Sequence, residues 1–341
     1  MSSGGGPGEP QDPAERLLRL LGGKWTAAAI AAAASLGLAD ALGAEPRTPG
    51  ALADALGCDA GALERLLRVL AGEGLVEEGS DGRFGLTCLG AELRSDAMGD
   101  LAAFAGAPFA WHPWAALADA VRTGRSAFEH THGQDLWTYL DARPEEARAY
   151  HAAIDAFTRH EARALAARFD FGSVGTVVDV GGGIGTLLLE LLARWPSLRG
   201  VLLERPPVAE QAQARLTAAG VEDRCEAVAG DFLEAVPPGG DAYVIKRVLH
   251  NWPDAEATRI LRHCAEAVRP GGHVLVIEGV VLPGNRRDPA RLLDLEMLAL
   301  CGPGRARGKP DLRRLFHAAG LKLERTSDLA GTTRLLVTTP K

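Results

Sequence analysis

A short apolar segment that runs into several glycines limits what this chain can fold into more than any other feature. Residues 177–180 are mostly β-branched, which is typical of a strand buried on both faces of a parallel sheet. Glycines fill four of the next five positions (181–185), and a leucine-rich helical pattern follows at 187–193. Glycines let the backbone approach a ligand, and a helix N-terminus presents free N–H groups. The segment therefore predicts an α/β fold with a ligand site at the glycine turn.

The spacing of these glycines distinguishes between ligands. A dinucleotide-binding turn needs the pattern Gly-x-Gly-x-x-Gly, and Thr186 stands where the third glycine belongs. The turn also lacks the Gly-Lys-Ser/Thr sequence that holds a nucleoside triphosphate. Asp179 lies two residues before the turn, and a carboxylate at this place favours a cationic amino-acid group over a phosphate.

Two further acids end the next two strands. Glu204 closes the second strand, where a carboxylate can accept hydrogen bonds from both hydroxyls of a ribose. By itself Glu204 would also suit a solvated strand end, but the glycine turn favours the ribose. Asp231 follows the third strand and can hold an adenine amino group, with Phe232 on the ring. Together with a turn through Gly181 and Gly183, these acids predict a pocket for S-adenosylmethionine.

With these features the chain resembles a known family. Four motifs carry the resemblance: the glycine turn at 179–185, Leu-Glu-Arg-Pro-Pro at 203–207, Gly-Asp-Phe at 230–232 and Lys-Arg-Val-Leu-His-Asn-Trp-Pro-Asp at 246–254. They are similar to those of the small-molecule O-methyltransferases that act on phenolic plant metabolites and bacterial aromatic antibiotics. The similarity is nearest to the mitomycin-type bacterial branch. It implies a homodimer that methylates an aromatic hydroxyl of a secondary metabolite.

The resemblance and the residue pattern together predict the architecture. Alternating strands and helices that end in an antiparallel pair indicate the seven-stranded, Rossmann-like sheet of class I methyltransferases. Two short capped helices and a hairpin before it are typical of a winged helix. The predicted domains are a disordered polar tail at 1–12, a winged-helix dimerisation domain at 13–100, a helical connector at 101–172 and the cofactor-binding catalytic domain at 173–341.

A winged helix often binds DNA, so the charge of this domain matters. Residues 13–100 carry 8 basic and 13 acidic side chains, and the predicted recognition helix offers Arg65 and Arg68 against Glu64. A DNA-binding face must be basic to release counterions. We therefore interpret the domain as a dimerisation module, as the resemblance implies, and the alanine-rich helices at 14–42 suit close packing against a second copy. A winged-helix regulator that senses S-adenosylmethionine is the alternative.

Removal of a proton from the acceptor is the chemistry that the protein must supply. A phenol has a pKa of ~10, so little of it is anionic at neutral pH and a general base is useful. His250 follows the fourth strand, at the edge where open α/β sheets bind ligands, and the motif around it makes it the predicted base. By resemblance, Glu278 on the fifth strand is the acid that stabilises the protonated histidine.

The resemblance also assigns residues that line the pocket. Lys246 corresponds to a lysine that contacts the cofactor, and Trp252 is expected to stack on adenine. The acceptor would lie between two helices, and the residues that the family pattern directs towards it are Ile154, Phe157, Met297, Leu300 and Cys301.

One stretch departs from the family pattern. The family has Gly-Gly-x-Glu-Arg-Thr after the second acceptor helix, and its glutamate flanks the histidine from the other side. Here residues 302–308 read Gly-Pro-Gly-Arg-Ala-Arg-Gly, so Arg305 or Ala306 replaces that acid. Either Glu278 alone supports His250, or the chemistry has changed. A hydroxylase or decarboxylase on the same scaffold is therefore an alternative, although such relatives usually lose the histidine.

Composition disfavours several classes of partner. The net charge of −7 argues against nucleic acid and anionic membranes. Five cysteines are scattered without a Cys-x-x-Cys pair, which argues against a disulfide framework and against zinc. No apolar run reaches the ~20 residues of a membrane span, and the N-terminus lacks the basic segment of a signal peptide. We therefore expect a cytoplasmic protein without a bound metal.

Overall fold

Helices and one hairpin form the N-terminal part of the chain, and a mostly parallel sheet lies in the C-terminal part. The computed structural model describes residues 12–285, 287–329, 331 and 333–341. The chain divides into two compact units, the first ending at Trp111 and the second spanning His112–Lys341. The polar tail predicted at 1–12 lies outside the described residues, except for Asp12.

The first unit has the winged-helix pattern. Its elements are α1 (Pro13–Ser35), α2 (Leu38–Leu42), α3 (Pro49–Leu56), α4 (Ala60–Gly72), β1 (Val76–Glu78), β2 (Phe84–Leu86), α5 (Cys88–Ala91), α6 (Gly99–Ala105) and α7 (Pro108–Trp111). Asp12, Thr48 and Asp59 begin α1, α3 and α4, and each side chain accepts a hydrogen bond from a backbone N–H of the first turn. The two strands pair antiparallel, with Val76 opposite Leu86. The capping side chains therefore fix where three of the helices begin, and the hairpin pairs the two strands that follow them.

Helix α1 has two distinct parts. In its second half Ala31 and Ala33 are buried, and a Cβ built on Gly106 at the end of α6 would lie 2.5 Å from the Cβ of Ala31. These alanines therefore pack within their own unit, where small side chains let two helices come close. The first half of α1 carries apolar side chains that are more than half exposed, which we call the exposed leucine face: Leu17, Leu18, Leu20, Leu21 and Trp25.

The second unit begins with helices and continues into the sheet. The helical part comprises a 3₁₀ turn (His112–Ala116), α8 (Leu117–Thr123), α9 (Ala127–His132), α10 (Leu136–Asp141) and α11 (Pro144–Ala166). The sheet part comprises β3 (Thr176–Val180), α12 (Thr186–Arg194), β4 (Arg199–Glu204), α13 (Pro206–Ala218), β5 (Cys225–Ala229), β6 (Ala242–Lys246), a 3₁₀ turn (Leu249–Asn251), α14 (Asp254–Ala267), β7 (His273–Val281), α15 (Pro289–Glu296), a π-helical turn (Met297–Cys301), β8 (Arg307–Gly308), α16 (Lys309–Ala318), β9 (Leu321–Asp328) and β10 (Thr333–Pro340). The connector predicted at 101–172 is thus shared between the two units, and the sequence-based boundaries stay predictions.

The sheet confirms the predicted fold class. Seven strands run in the order β5-β4-β3-β6-β7-β10-β9, and the two-residue strand β8 pairs with β7. Strands β3 to β7 pair parallel to one another, whereas β10 is antiparallel to both of its neighbours. The chain order reverses between β3 and β6, and open α/β sheets bind ligands at the carboxyl edge beside such a switch point. Asp179 and Glu204 lie at the ends of β3 and β4, and Asp231 and His250 follow β5 and β6, so all four lie along this edge.

The apolar run of β3 is explained by layers on both faces of the sheet. Val177 packs with residues of α11 and α12 on one face. Val178 and Val180 pack with residues of α14 and α16 on the other. Since neighbouring side chains of a strand point to opposite faces, a strand covered on both sides must be continuously apolar.

Candidate active site

The glycine turn after β3 forms one wall of the candidate site. Gly181 and Gly183 have φ angles of 71° and 58°, in the left-handed region that favours glycine. A Cβ at Gly181 would lie 2.8 Å from a methyl carbon of Val248, so the turn is closed on that side. Among the described residues, nothing lies within 4 Å of a Cβ built at Gly183. A ligand can therefore approach the backbone closely at Gly183.

Asp179 is a buried acid at the end of β3. Its side chain is 1% exposed, and neither carboxylate oxygen has a hydrogen-bond partner among the described residues. Burial raises the pKa of Asp179 to about 7, although the nearby charge of Lys246 opposes that rise. A buried polar group without a partner is unfavourable, so this carboxylate is suited to a cationic ligand group. The ammonium group of S-adenosylmethionine fits this requirement.

Glu204 connects the end of β4 to the glycine turn. Its carboxylate accepts hydrogen bonds from the backbone N–H of Gly183 at 3.2 Å and of Arg205 at 2.9 Å. Burial raises the pKa of Glu204, which these hydrogen bonds oppose. A carboxylate has about four acceptor positions, so lone pairs are left for ribose hydroxyls.

The residues predicted to surround adenine are not all equally close to the turn. Phe232 and Trp252 are half-buried, and their ring centroids lie 5.8 Å apart in an edge-to-face arrangement. Phe232 also lies 3.4 Å from a Cβ built at Gly181. Asp231 is exposed, and its carboxylate accepts a hydrogen bond from the N–H of Leu233 at 2.8 Å. The structure thus places Phe232 against the turn and Trp252 against Phe232, and Asp231 is exposed after the end of β5.

Lys246 is held by two residues of α11 that the sequence analysis did not identify. Its ammonium donates to Oγ1 of Thr158 at 2.9 Å and lies 3.7 Å from the carboxylate of Glu161. Burial lowers the pKa of Lys246, while Glu161 and Asp179 raise it. Glu161 is 0% exposed. Glu161 lies four residues after Phe157, so the two share one face of α11. This spacing was the feature of the sequence that could have indicated an acid near the predicted acceptor residues.

The predicted base and its supporting acid are in contact. Nδ1 of His250 lies 2.6 Å from Oε2 of Glu278, and the backbone N–H of His250 donates to Oε1 at 3.2 Å. Both side chains are buried. Burial alone would raise the pKa of Glu278, but His250 and Arg247 hold it below its ordinary value. An ionised Glu278 favours a proton on Nδ1, which leaves Nε2 of the imidazole as the proton acceptor.

A buried arginine fixes the loop that carries His250. Arg307 is 2% exposed. Its guanidinium donates to the carbonyl oxygens of Leu249 at 2.7 Å and Trp252 at 2.6 Å, and to the carboxylate of Asp254 at 2.8 Å. These bonds reach both sides of His250 in the chain. Arg307 was overlooked because the sequence analysis searched this segment for an acid.

The rest of the departing segment packs tightly on the same loop. A Cβ at Gly304 would lie 2.1 Å from the carbonyl oxygen of His250, so only glycine fits there. Ala306 is buried, and its N–H donates to Asp294 at 2.7 Å. Arg305 is partly exposed and forms a salt bridge with the carboxylate that also binds Arg307. In place of the family's acid, residues 302–308 thus support the loop of His250 through close backbone packing at Gly304 and through the side chain of Arg307.

The predicted acceptor residues lie on two elements of the second unit. Ile154 and Phe157 are half-buried on α11. Met297 and Leu300 are buried and Cys301 is half-buried, all within the π-helical turn after α15. A π-helical turn shifts the side chains of a helix out of register and is frequent at functional sites.

Two polar residues missed in the sequence lie near the same walls. Burial raises the pKa of Glu296, at the end of α15, and the charges of Arg247 and His250 oppose this rise. Burial also raises the pKa of Tyr150 on α11, and the charges of Cys301 and Glu296 add to it. These effects require proximity between α11, α15 and the histidine loop. In the sequence Glu296 is a single glutamate between apolar residues of a helix, and nothing there indicated that it lies near the acceptor residues.

Comparison with known proteins assigns the chain to a family. The family model of the O-methyltransferase domain matches residues 114–322, and that of the O-methyltransferase dimerisation domain matches residues 18–95. The chain is 40% identical over 313 residues to mitomycin biosynthesis 6-O-methyltransferase of Streptomyces lavendulae, over 90% of this chain and 88% of that protein. It is 36% identical over 347 residues to aclacinomycin 10-hydroxylase RdmB of Streptomyces purpurascens, over 95% of this chain and 90% of that protein.

A solved structure of the same family is also similar. The O-methyltransferase NcsB1 from neocarzinostatin biosynthesis, in complex with S-adenosylmethionine and 2-hydroxy-5-methyl naphthoic acid, has a TM-score of 0.74 and 34% identity. The alignment covers 93% of this chain and 96% of that chain. The family match, the shared fold and the unpartnered Asp179 beside an open glycine turn agree with one another. The chain belongs to the S-adenosylmethionine-dependent O-methyltransferases and carries their dimerisation domain at its N-terminal end.

Proposed function

We propose that this chain methylates an aromatic hydroxyl group of a secondary metabolite, with His250 as the general base. The observation that carries this proposal is the buried 2.6 Å contact between Nδ1 of His250 and Glu278, at the carboxyl edge of the sheet. The relatives support the class of acceptor, because one is named for mitomycin biosynthesis and another was solved with a naphthoic acid.

The cofactor supplies an activated methyl group on a sulfonium centre. Asp179 would hold its ammonium group and Glu204 its ribose hydroxyls. The rings of Phe232 and Trp252 would enclose the adenine. Lys246 lies within electrostatic reach of Asp179, so it would limit the build-up of negative charge in the pocket.

The protein's part in the reaction is to position the acceptor and take its proton. The acceptor would lie between Phe157 and Met297, with its hydroxyl at Nε2 of His250. Glu278 would stabilise the imidazolium that forms when the proton arrives. Arg307 would keep the base in place, because it holds carbonyl groups on both sides of the histidine.

A screen of phenols, hydroxyquinones and hydroxynaphthoates with methyl-labelled S-adenosylmethionine tests the proposal. We expect a labelled methyl ether and one equivalent of S-adenosylhomocysteine. Turnover of His250→Ala should fall by roughly 10²–10⁴-fold with unchanged cofactor affinity. The control is His317→Ala, on the exposed surface of α16. If His250→Ala keeps most of its activity, positioning alone drives the transfer.

A hydroxylase is the second candidate. A relative of 36% identity is named a hydroxylase, and Arg305 or Ala306 replaces the second acid of the methyltransferase pattern. Retention of His250 favours methyl transfer. The two functions differ in a product assay, because a hydroxylase adds oxygen to the acceptor without forming S-adenosylhomocysteine.

We also propose that the first unit forms a homodimer. The exposed leucine face places five large apolar side chains within about two and a half turns of α1, and the dimerisation-domain match spans residues 18–95. Clusters of exposed apolar side chains mark interaction sites. Sedimentation at micromolar concentration should show a dimer, which Leu17→Lys with Leu21→Lys should weaken. Leu292→Lys, at an exposed leucine of α15, is the control. A wild-type monomer would contradict the proposal.

Location and other partners stay predictions from the sequence. Within the described ranges no helix is long and apolar enough to cross a membrane. In the same part of the chain, no group of three or more His, Cys, Asp or Glu side chains could hold a metal ion. A cytoplasmic enzyme that binds no nucleic acid is the expectation, and fractionation with a DNA-retention assay at low salt checks it.

A further inference from the structure

Arg247 lies between the cofactor-binding edge and the acceptor walls, and the proposed reaction gives it no role. Among the described residues it is the one non-glycine with positive φ, at 56°. Its N–H donates to the carbonyl of Ile277 at 2.9 Å, and its own carbonyl accepts from the amide of Asn251 at 3.3 Å. Backbone strain of this kind concentrates at functional sites. The strained backbone sends the side chain in a fixed direction from the end of β6.

The guanidinium of Arg247 is held along one edge. Its Nε donates to both oxygens of the buried Glu161, at 3.2 and 3.3 Å. Its central carbon lies 4.0 Å from the ring centroid of Phe157, the proposed acceptor wall on α11. No hydrogen bond or ion pair from the described residues reaches its terminal nitrogens, Nη1 and Nη2. The side chain as a whole keeps 16% of its surface accessible.

Arg247 also interacts electrostatically with acids on two neighbouring elements. Its positive charge lowers the pKa of Glu278 and opposes the rise in the pKa of Glu296. The guanidinium therefore lies within electrostatic reach of Glu278, the acid that contacts His250, and of Glu296 at the end of α15. An aromatic ring on Phe157 with its hydroxyl at His250 would present its adjacent substituent to Arg247.

We propose that the free edge of Arg247 binds a carboxylate on the acceptor ring, next to the hydroxyl that is methylated. The inference rests on the proposed function and names its substrate class, a hydroxyaryl carboxylate. A guanidinium binds a carboxylate through two parallel hydrogen bonds, which fixes the ring orientation. An ortho carboxylate also makes loss of the phenolic proton harder, and the cation offsets that effect while His250 takes the proton.

Binding measurements on the enzyme loaded with S-adenosylhomocysteine test this without relying on turnover. The probes are 1-hydroxy-2-naphthoate, its neutral carboxamide and 1-naphthol. We expect the acid to bind roughly 10–100-fold more tightly than 1-naphthol, as charge-assisted hydrogen bonds allow, and Arg247→Met to abolish this preference. Arg247→Lys should keep part of it. Arg313→Met, at an exposed arginine of α16, is the control and should leave the ratio unchanged.

A second variant separates recognition from folding. Arg247→Met leaves the buried Glu161 with one cation fewer, so the double variant Arg247→Met/Glu161→Gln removes the uncompensated charge. It should be folded and still lack the preference. Equal binding of acid and naphthol by the wild type, an unchanged ratio in Arg247→Met, or no binding of any probe would each overturn the inference. Labelled methyl transfer on the same probes tests the proposed function separately. Methylation without a preference for the acid would refute only the carboxylate inference. A preference for the acid that depends on Arg247, without methylation, would refute only the proposed function.

Discussion

In the cofactor-free protein, Asp179 is expected to destabilise the fold that carries the site. Its carboxylate is 1% exposed and has no hydrogen-bond partner among the described residues. Burial raises its pKa from 3.8 to about 7. Each pKa unit corresponds to about 1.4 kcal/mol, so a shift of roughly three units corresponds to about 4 kcal/mol. Asp179→Asn removes the ionisation at nearly constant volume and should raise the free energy of unfolding at pH 8 by about 2–4 kcal/mol, since a buried amide is also unpartnered.

This effect depends on pH in one direction. Between about pH 4 and pH 7 the native carboxyl of Asp179 keeps its proton while that of the unfolded chain has lost it. The native state therefore binds more protons, and the wild type loses stability as the pH rises through this window. Below about pH 4 both states are protonated and the contribution vanishes, whereas above about pH 7 it is complete. The difference between the wild type and Asp179→Asn should follow the same course.

Urea unfolding of the ligand-free proteins at pH 5 and pH 8 measures this difference. Asp223→Asn, at an exposed turn, is the matched control and should show no such pH dependence. Addition of S-adenosylmethionine should reverse the order of stability, because its ammonium group pairs with the ionised carboxylate and less well with the amide. Calorimetry at pH 7 should detect proton release when the wild type binds it. A stability difference between the wild type and the Asp179→Asn variant that does not change with pH would refute the reasoning, since Asp179 would then already be ionised.

The remaining predictions concern the base, the ribose contact and the buried arginine. In Glu278→Gln a single side-chain oxygen faces two N–H donors of His250, the backbone N–H and Nδ1–H. Turnover should therefore fall by roughly 10²–10⁴-fold, as in His250→Ala, while cofactor affinity is retained. The control is Glu226→Gln, at an exposed glutamate of β5. Glu204→Ala should weaken cofactor binding by ~1.5–3 kcal/mol in calorimetry, and an unchanged affinity would rule out the ribose assignment. Arg307→Met should lower kcat far more than cofactor affinity and Arg307→Lys should recover part of it, whereas full activity in Arg307→Met would show that the loop holds His250 without it.

The sequence alone determined the fold and the sheet edge at which the candidate site lies. The segment before the glycine turn is apolar at 177, 178 and 180 because β3 is covered on both faces, and that requirement can be read from residue types. The carboxyl ends of parallel strands meet at one edge, so the acids and the histidine at the ends of these strands had to lie along the same edge. The contact between His250 and Glu278 follows from β6 and β7 pairing side by side.

Only the tertiary structure decided how the charged side chains are arranged at that edge. Arg247 and Glu161 are 86 residues apart, and Arg307 and Leu249 are 58 apart. Such contacts depend on the angle at which α11 crosses the strand ends and on the path of the loop before β8. Local propensity does not encode either of these. A charged side chain in the sequence has the same identity whether it is solvated or buried against a partner, and only packing determines which groups lose their water. For this reason the burial of Arg307, which bonds the loop that carries His250, could not be predicted from the sequence. The contact of Asp231 with adenine stays a prediction.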